Sequence, residues 1–245
     1  MAEPSVEPGP GTLGAASCPP AGMPSPPLEN GDRLTRCEFE RRYAARPDLK
    51  KAQLIEGVVY MPSPVSTAHA GPHAMIQTVL LVYAASTPGV RGYDNATVRL
   101  DLDNEPQPDV LLRIESEAGG RARVSADDYI EGAPELVVEV AASSASIDLH
   151  DKLRAYRRNG VQEYVVWRTH ERQIDWFEIA DGEYRVLPAD DAGIVHSRVF
   201  PGLRLAASAL LKGDLAGALA EVQKGIGSPE HGAFVARLAA ARSGG

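Results

Sequence analysis

Three acidic residues interrupt apolar stretches of this chain, and a lysine follows the last of them. Glu56 stands within Leu54-Ile55-Glu56-Gly57-Val58-Val59-Tyr60, Asp109 opens Asp109-Val110-Leu111-Leu112, and Glu139 sits inside Leu136-Val137-Val138-Glu139-Val140. A carboxylate in a hydrophobic strand is costly unless a cation or a metal ion pairs with it. Lys152 lies on the segment after Glu139. Three carboxylates and an ammonium make a hard-cation site with oxygen donors, of the type suited to Mg2+ or Mn2+. Such a site serves phosphoryl transfer, because the ion polarises the phosphate and offsets charge in the transition state. The Cys/His spacing of zinc sites, a glycine-rich phosphate loop and a Gly-x-Ser-x-Gly elbow are all missing.

The stretch Pro134 to Trp167 must position Glu139 and Lys152. Its first part is a short, β-branched apolar run bounded by Pro and Ser, which predicts a buried strand. A helix follows, with Asp148 as N-cap, Leu149, Leu153 and Tyr156 on its core face, and Gly160 as its stop. Tyr164 to Trp167 completes a β-α-β unit with parallel strands. At about 100° per residue, Lys152 falls about 60° from Leu149 and about 40° from Tyr156, so it flanks the buried stripe. A lysine there commonly snorkels along the edge of the core. Convergence of further carboxylates on Glu139 would favour an ammonium aimed at that strand instead.

The other elements follow from local patterns. Thr35 and Glu38 form a capping-box pair opening a helix that stops before Pro47. Ala52 to Met61 is expected as one strand, with Leu54, Glu56, Val58 and Tyr60 on one face. Pro72 at a first helical turn starts a helix whose core face is Ile76, Val79, Leu80 and Tyr83. His69 and His73 precede or open it, where lone histidines are more often caps or surface residues than ligands. Thr97 to Leu102 reads as a strand, Asp109 stands at the start of another, and 115–133 reads as an irregular loop. Asp181-Gly182 marks a hairpin between Gln173 to Phe177 and Glu183 to Leu187, and Val199 to Leu205 adds a strand.

At 245 residues the chain suits one α/β domain with tails. Residues 1–30 hold eight prolines and four glycines and are expected to be disordered. Residues 31–212 form the main domain. Residues 213–245 read as two Ala-rich helices, an appendage that packs on the main domain or on a partner subunit. No apolar run approaches a membrane span, no signal peptide opens the chain, and Cys18 and Cys37 cannot build a disulfide scaffold, so a cytoplasmic protein is expected. The net charge of −8 is not the footprint of a protein that coats nucleic acid, although a local basic patch or a bound cation can outweigh it.

Taken in order, Leu54 to Tyr60, Ser63-Pro64, Gln107-Pro108-Asp109, Pro134 to Val140, Asp151-Lys152-Leu153 with Tyr156, and Gly160-Val161 through Glu163-Tyr164 form a specific set. Over about residues 33–211 this set resembles the PD-(D/E)XK restriction-endonuclease-like superfamily, and more closely its Uma-type family of endonucleases. The resemblance implies an α/β core, a mixed sheet flanked by helices, and metal-dependent hydrolysis of DNA. It implies Asp109 and Glu139 as metal ligands, Glu56 as a helper near the metal and Lys152 as the catalytic lysine. The superfamily lysine two residues after Glu139 is replaced by Ala141, and Lys152 on the next helix takes its place. The family histidine best matches His73, with His69 second. A homodimer is expected, since protein symmetry can mirror that of a duplex cut on both strands. The alternatives are a non-cleaving binding or assembly module on a nuclease fold, and an enzyme acting on RNA or another phosphate ester. Two metal-free carboxylates would repel, so Asp109→Asn is expected to stabilise the metal-free protein.

Overall fold

A computed structural model of the chain describes residues 25–62, 64–142 and 144–244. Most of the expected tail lies outside them. The chain opens with helix α1 (Arg36–Ala44). Thr35 is its N-cap but makes no side-chain cap bond. The Glu38 carboxylate is instead taken by Arg41 and Arg42, at 2.7 and 2.6 Å, so the capping box does not form.

The single strand expected over Ala52 to Met61 is a hairpin, β1 (Gln53–Ile55) and β2 (Val58–Tyr60), paired antiparallel. Glu56 and Gly57 form its two-residue turn with φ of 51° and 72°. Both turn positions therefore need the left-handed region, which glycine adopts freely and glutamate only at a cost. Helix α2 (Thr67–Ala85) begins five residues before Pro72, not at it. Pro72 sits inside the helix, where it withholds the N–H that would bond the Ala68 carbonyl. The earlier start puts His69 and His73 one turn apart on one helical face.

Next come β3 (Val90–Asp94), β4 (Val98–Arg99) and β5 (Val110–Ile114). The region expected as irregular loop holds a short 3-10 turn, Ser116–Ala118, and two short strands, β6 (Arg123–Val124) and β7 (Ile130–Glu131). Strand β7 pairs with β4 on one side and with β6 on the other, and β4 keeps only two residues of the strand expected from Thr97 to Leu102. Strand β8 (Leu136–Ala141) leads to the short helix α3 (Ala145–Leu149), then α4 (Asp151–Asn159) and β9 (Glu163–Arg168). Gly160 ends α4 in the left-handed conformation. The hairpin β10 (Gln173–Ala180) and β11 (Glu183–Val186) turns at Asp181-Gly182, and β12 (Ile194–His196) pairs with β13 (Arg204–Ala206). Three helices close the chain: α5 (Ala207–Leu211), α6 (Leu215–Ile226) and α7 (Pro229–Ser243).

The main sheet has six strands in the order β11-β10-β9-β8-β5-β3. Only β8 and β9 run parallel; every other pair is antiparallel, so the sheet is mixed. Helices cover both faces. Leu136, Val138 and Val140 join a core with Ile76, Val79, Leu80 and Tyr83 of α2, and with Val222, Phe234 and Leu238 of α6 and α7. Val137 and Ala141 join the opposite core, with Leu111, Tyr156, Tyr164 and Val166. By alternation Glu139 points to this second side, toward α4. The last two helices are thus packed into the main core. Thr87 Oγ1 and His231 Nε2 lie 2.9 Å apart across the α2–α7 contact. Among the described residues, no helix is long and apolar enough to cross a membrane.

Candidate active site

The β5–β8 register pairs Val110 with Val138, so Asp109 falls opposite Glu139, one step beyond. Asp109 Oδ2 accepts the backbone N–H of Val140 at 2.7 Å, which fixes one carboxylate oxygen. The other, Oδ1, lies 3.4 Å from His69 Nε2. His69 Nδ1 is 2.8 Å from the Val140 carbonyl, which can only accept, so Nδ1 carries the hydrogen. Burial alone would raise the Asp109 carboxyl, but His69, the Val140 N–H and Lys152 outweigh it and the pKa falls. The hydrogen bond to Asp109 raises that of His69. His73 Nε2 lies 2.9 Å from Asp94 Oδ1 and 3.2 Å from the Asp109 carbonyl.

Glu139 and Lys152 meet on the α4 side of the sheet. Lys152 Nζ is 2.8 Å from Glu139 Oε2 and 3.2 Å from Asp148 Oδ1, and the tyrosine hydroxyl of Tyr156 donates to Glu139 Oε1 at 2.8 Å. Lys152 is 4% exposed and Glu139 3%, so the ammonium does not snorkel to water. Burial drives the Glu139 carboxyl up to about 7; Asp148 and Asp109 push the same way, against Lys152. Burial would lower the Lys152 pKa, but Asp148 and Glu139 raise it, so the ammonium stays charged.

Asp148 is not the N-cap of a single helix. It lies inside α3, 1% exposed, and accepts from Ser144 Oγ, while its backbone carbonyl takes the Tyr164 hydroxyl at 2.9 Å. The helix breaks at His150, with φ −124° and ψ −75°, before α4 begins. Asp148 Oδ1 is buried without a well-aligned hydrogen bond and meets only the Lys152 ammonium.

Glu56 does not join this group. The hairpin turn carries it away from a buried strand, and its carboxylate takes Arg158 Nη2 at 2.8 Å and Asn104 Nδ2 at 3.3 Å. Among the described residues, the group of three acidic or histidine side chains whose ligand atoms lie within 4.8 Å of one another is His69, His73 and Asp109. The expected trio of carboxylates is therefore not preformed around one point, and the histidines stand where Glu56 was expected.

A divalent cation fits the donors present. Asp109 Oδ1 and the Val140 carbonyl are hard oxygen donors, and Glu139 stands opposite Asp109 on the neighbouring strand. His69 adds the arrangement usual for a ligating histidine, one ring N–H on a backbone carbonyl and the other nitrogen facing the site.

The model of the Uma2 family, described as "Putative restriction endonuclease", matches residues 37–208. The chain belongs to this family. A crystal structure of a "putative nuclease belonging to DUF820" from Anabaena variabilis ATCC 29413 aligns at 16% identity, with 70% of this chain and 90% of that one covered and a TM-score of 0.48. A search of curated proteins found no match. The Uma2 match spans Asp109, Glu139 and Lys152 together with both histidines. Asp148 escaped the sequence reading because an aspartate before a helix has the signature of a cap. Its spacing of four residues from Lys152 was the signal that could have found it.

Proposed function

We propose that this chain is a divalent-metal-dependent endonuclease that hydrolyses phosphodiester bonds of DNA in the cytoplasm. The buried Lys152 ammonium supports this most directly: it lies 2.8 Å from Glu139 Oε2, on the strand beside Asp109. Asp109 Oδ1, the Glu139 carboxylate and the Val140 carbonyl would hold Mg2+ or Mn2+, with His69 Nε2 as a further donor. Bound there, the ion would polarise the scissile phosphate and offset its charge. The chain's own residues do the rest. The Val140 N–H orients Asp109, and Tyr156 orients Glu139. Lys152, held by Glu139 and Asp148, presents a fixed positive charge to a developing phosphorane anion, a preorganised stabilisation that costs no rearrangement during reaction. Glu56 braces the β1–β2 hairpin on α4 through Arg158. His73 aids indirectly, tying α2 to Asp94 and to the Asp109 backbone.

The same proposal includes a homodimer, which would set one centre on each strand of a duplex. Light scattering tests it, and a monomer at working concentration removes it. Plasmid cleavage tests the activity. Nicked and linear products should form with Mg2+ or Mn2+ and vanish with EDTA or in Glu139→Gln. Binding of the plasmid without cleavage in either metal would support the non-cleaving module instead.

A further inference from the structure

Away from this centre, a cavity of about 570 Å³ opens at the other end of the parallel strand pair. Gln162, on its wall, precedes β9 and is level with Glu135, because Leu136 pairs with Glu163. Four residues along β8 separate that level from Glu139, or about 13 Å at 3.3 Å per residue. Three arginines from distant parts of the chain converge on the cavity: Arg121 after the 3-10 turn, Arg198 between β12 and β13, and Arg237 on α7. Convergence of three guanidiniums on one hollow is unexpected in a chain of net charge −8.

Their charges are only partly met, since Arg121 faces the buried Glu135 carboxylate and Arg198 has one loose ion pair. The Arg198 guanidinium makes that pair at 3.9 Å with Glu178, a carboxylate that also lines the cavity. Arg237 rests 4.9 Å over the Phe234 ring and has no carboxylate partner among the described residues. Arg121 gives one N–H to the Gly160 carbonyl at 2.9 Å. Ile179 and Val199 supply apolar wall beside them. Guanidinium groups bind phosphate oxygens in paired, charge-assisted hydrogen bonds, and the cavity volume falls in the range of small-ligand sites.

We infer that this cavity binds a phosphate group, carried by a nucleotide or by a nucleic-acid backbone. Phosphate chemistry is shared by the two sources, and the apolar wall suits a base or sugar beside it. The inference does not depend on cleavage at the metal centre.

Binding of inorganic phosphate, adenosine triphosphate and a short single-stranded DNA, each in EDTA, tests it by calorimetry on the full chain and on Arg198→Gln/Arg237→Gln. Arg121 is left in place because it also caps α4 through Gly160. The wild type should bind at least one probe, and the double variant should bind it about tenfold or more weakly with unchanged circular dichroism. Loss of phosphate and nucleotide binding assigns a small ligand, and loss confined to the oligonucleotide assigns the backbone. No binding of any probe by the wild type, or equal affinity in the variant, overturns the inference. Should the double variant not fold, Arg237→Gln alone is read by the same criterion, since that side chain is exposed and carries no ion pair among the described residues.

Discussion

Lys152 reaches across from α4 to place its ammonium 2.8 Å from Glu139 Oε2 on β8, with both side chains almost wholly buried. Asp148, one helical turn before Lys152, holds the same ammonium at 3.2 Å. One cation thus balances two buried carboxylates. Lys152→Met would leave both uncompensated, and breaking a buried pair from one side costs about 3–5 kcal/mol. Urea unfolding at pH 8 should show a loss of that order. Because the Glu139 carboxyl is already pushed up to about 7 by burial, the loss should shrink at pH 5, where the orphaned Glu139 takes up a proton. A loss under about 1 kcal/mol at pH 8, the size typical of a surface substitution, would contradict the buried pairing.

Asp109→Asn carries a sign opposite to the one expected from repulsion between metal-free carboxylates. Asp109 accepts the Val140 N–H and faces His69, and its pKa is lowered, so the charged form is the one the fold favours. The variant should melt at a lower temperature than the wild type in EDTA. Mn2+ should raise the melting temperature of the wild type by mass action, and the variant should lose that rise. A variant more stable than wild type in EDTA would restore the repulsion argument.

His69 bears on which ion is preferred. An imidazole nitrogen favours Mn2+ over Mg2+ more than a carboxylate oxygen does. His69→Ala should therefore weaken Mn2+ binding more than Mg2+ binding, narrowing the ratio of the two affinities measured by calorimetry. An unchanged ratio would remove His69 from the donor set.

Stability should also depend on pH through a group far from this chemistry. Glu163, at the start of β9, accepts from Ser197 Oγ at 2.7 Å and from the Arg198 and Val199 N–H groups at 2.6 and 3.1 Å. Burial raises its pKa from 4.5 to about 7, against these hydrogen bonds. The folded state therefore holds the proton more tightly. The stabilisation is complete below about 4.5, the unfolded value, and is lost as pH rises through about 7. Between pH 5 and 8 the wild type should lose up to about 3 kcal/mol relative to Glu163→Gln. A constant difference between the two proteins across that range would contradict it.

The β-α-β unit was legible because each part carries its own signal: a β-branched run, a helical stripe and a glycine stop. The angle between Lys152 and Tyr156 holds within α4 and agrees with the place of Lys152 against Glu139, whereas the angle to Leu149 spans the break at His150. Glu56 misled because its alternation with Leu54, Val58 and Tyr60 imitates a continuous strand. A Glu-Gly pair occupies a turn that Asn-Gly or Asp-Gly would have announced. The start of α2 was hidden for a related reason. Pro72 has the signature of a first turn, yet this helix tolerates it in the interior, and the histidine pair was legible only once the true start was known. Convergence of Arg121, Arg198 and Arg237 had no local signal, since it depends on how distant segments pack.

In the proposed mechanism Lys152 acts on the scissile phosphate and does not hold the metal. Single-turnover cleavage of a plasmid by wild type and Lys152→Met, beside Mn2+ affinities of the two proteins, tests it most directly. The variant should cleave more slowly by about two orders of magnitude or more, as for removal of a preorganised charge at a transition state, while binding Mn2+ with comparable affinity. A folded Lys152→Met protein that cleaves at the wild-type rate would contradict the account.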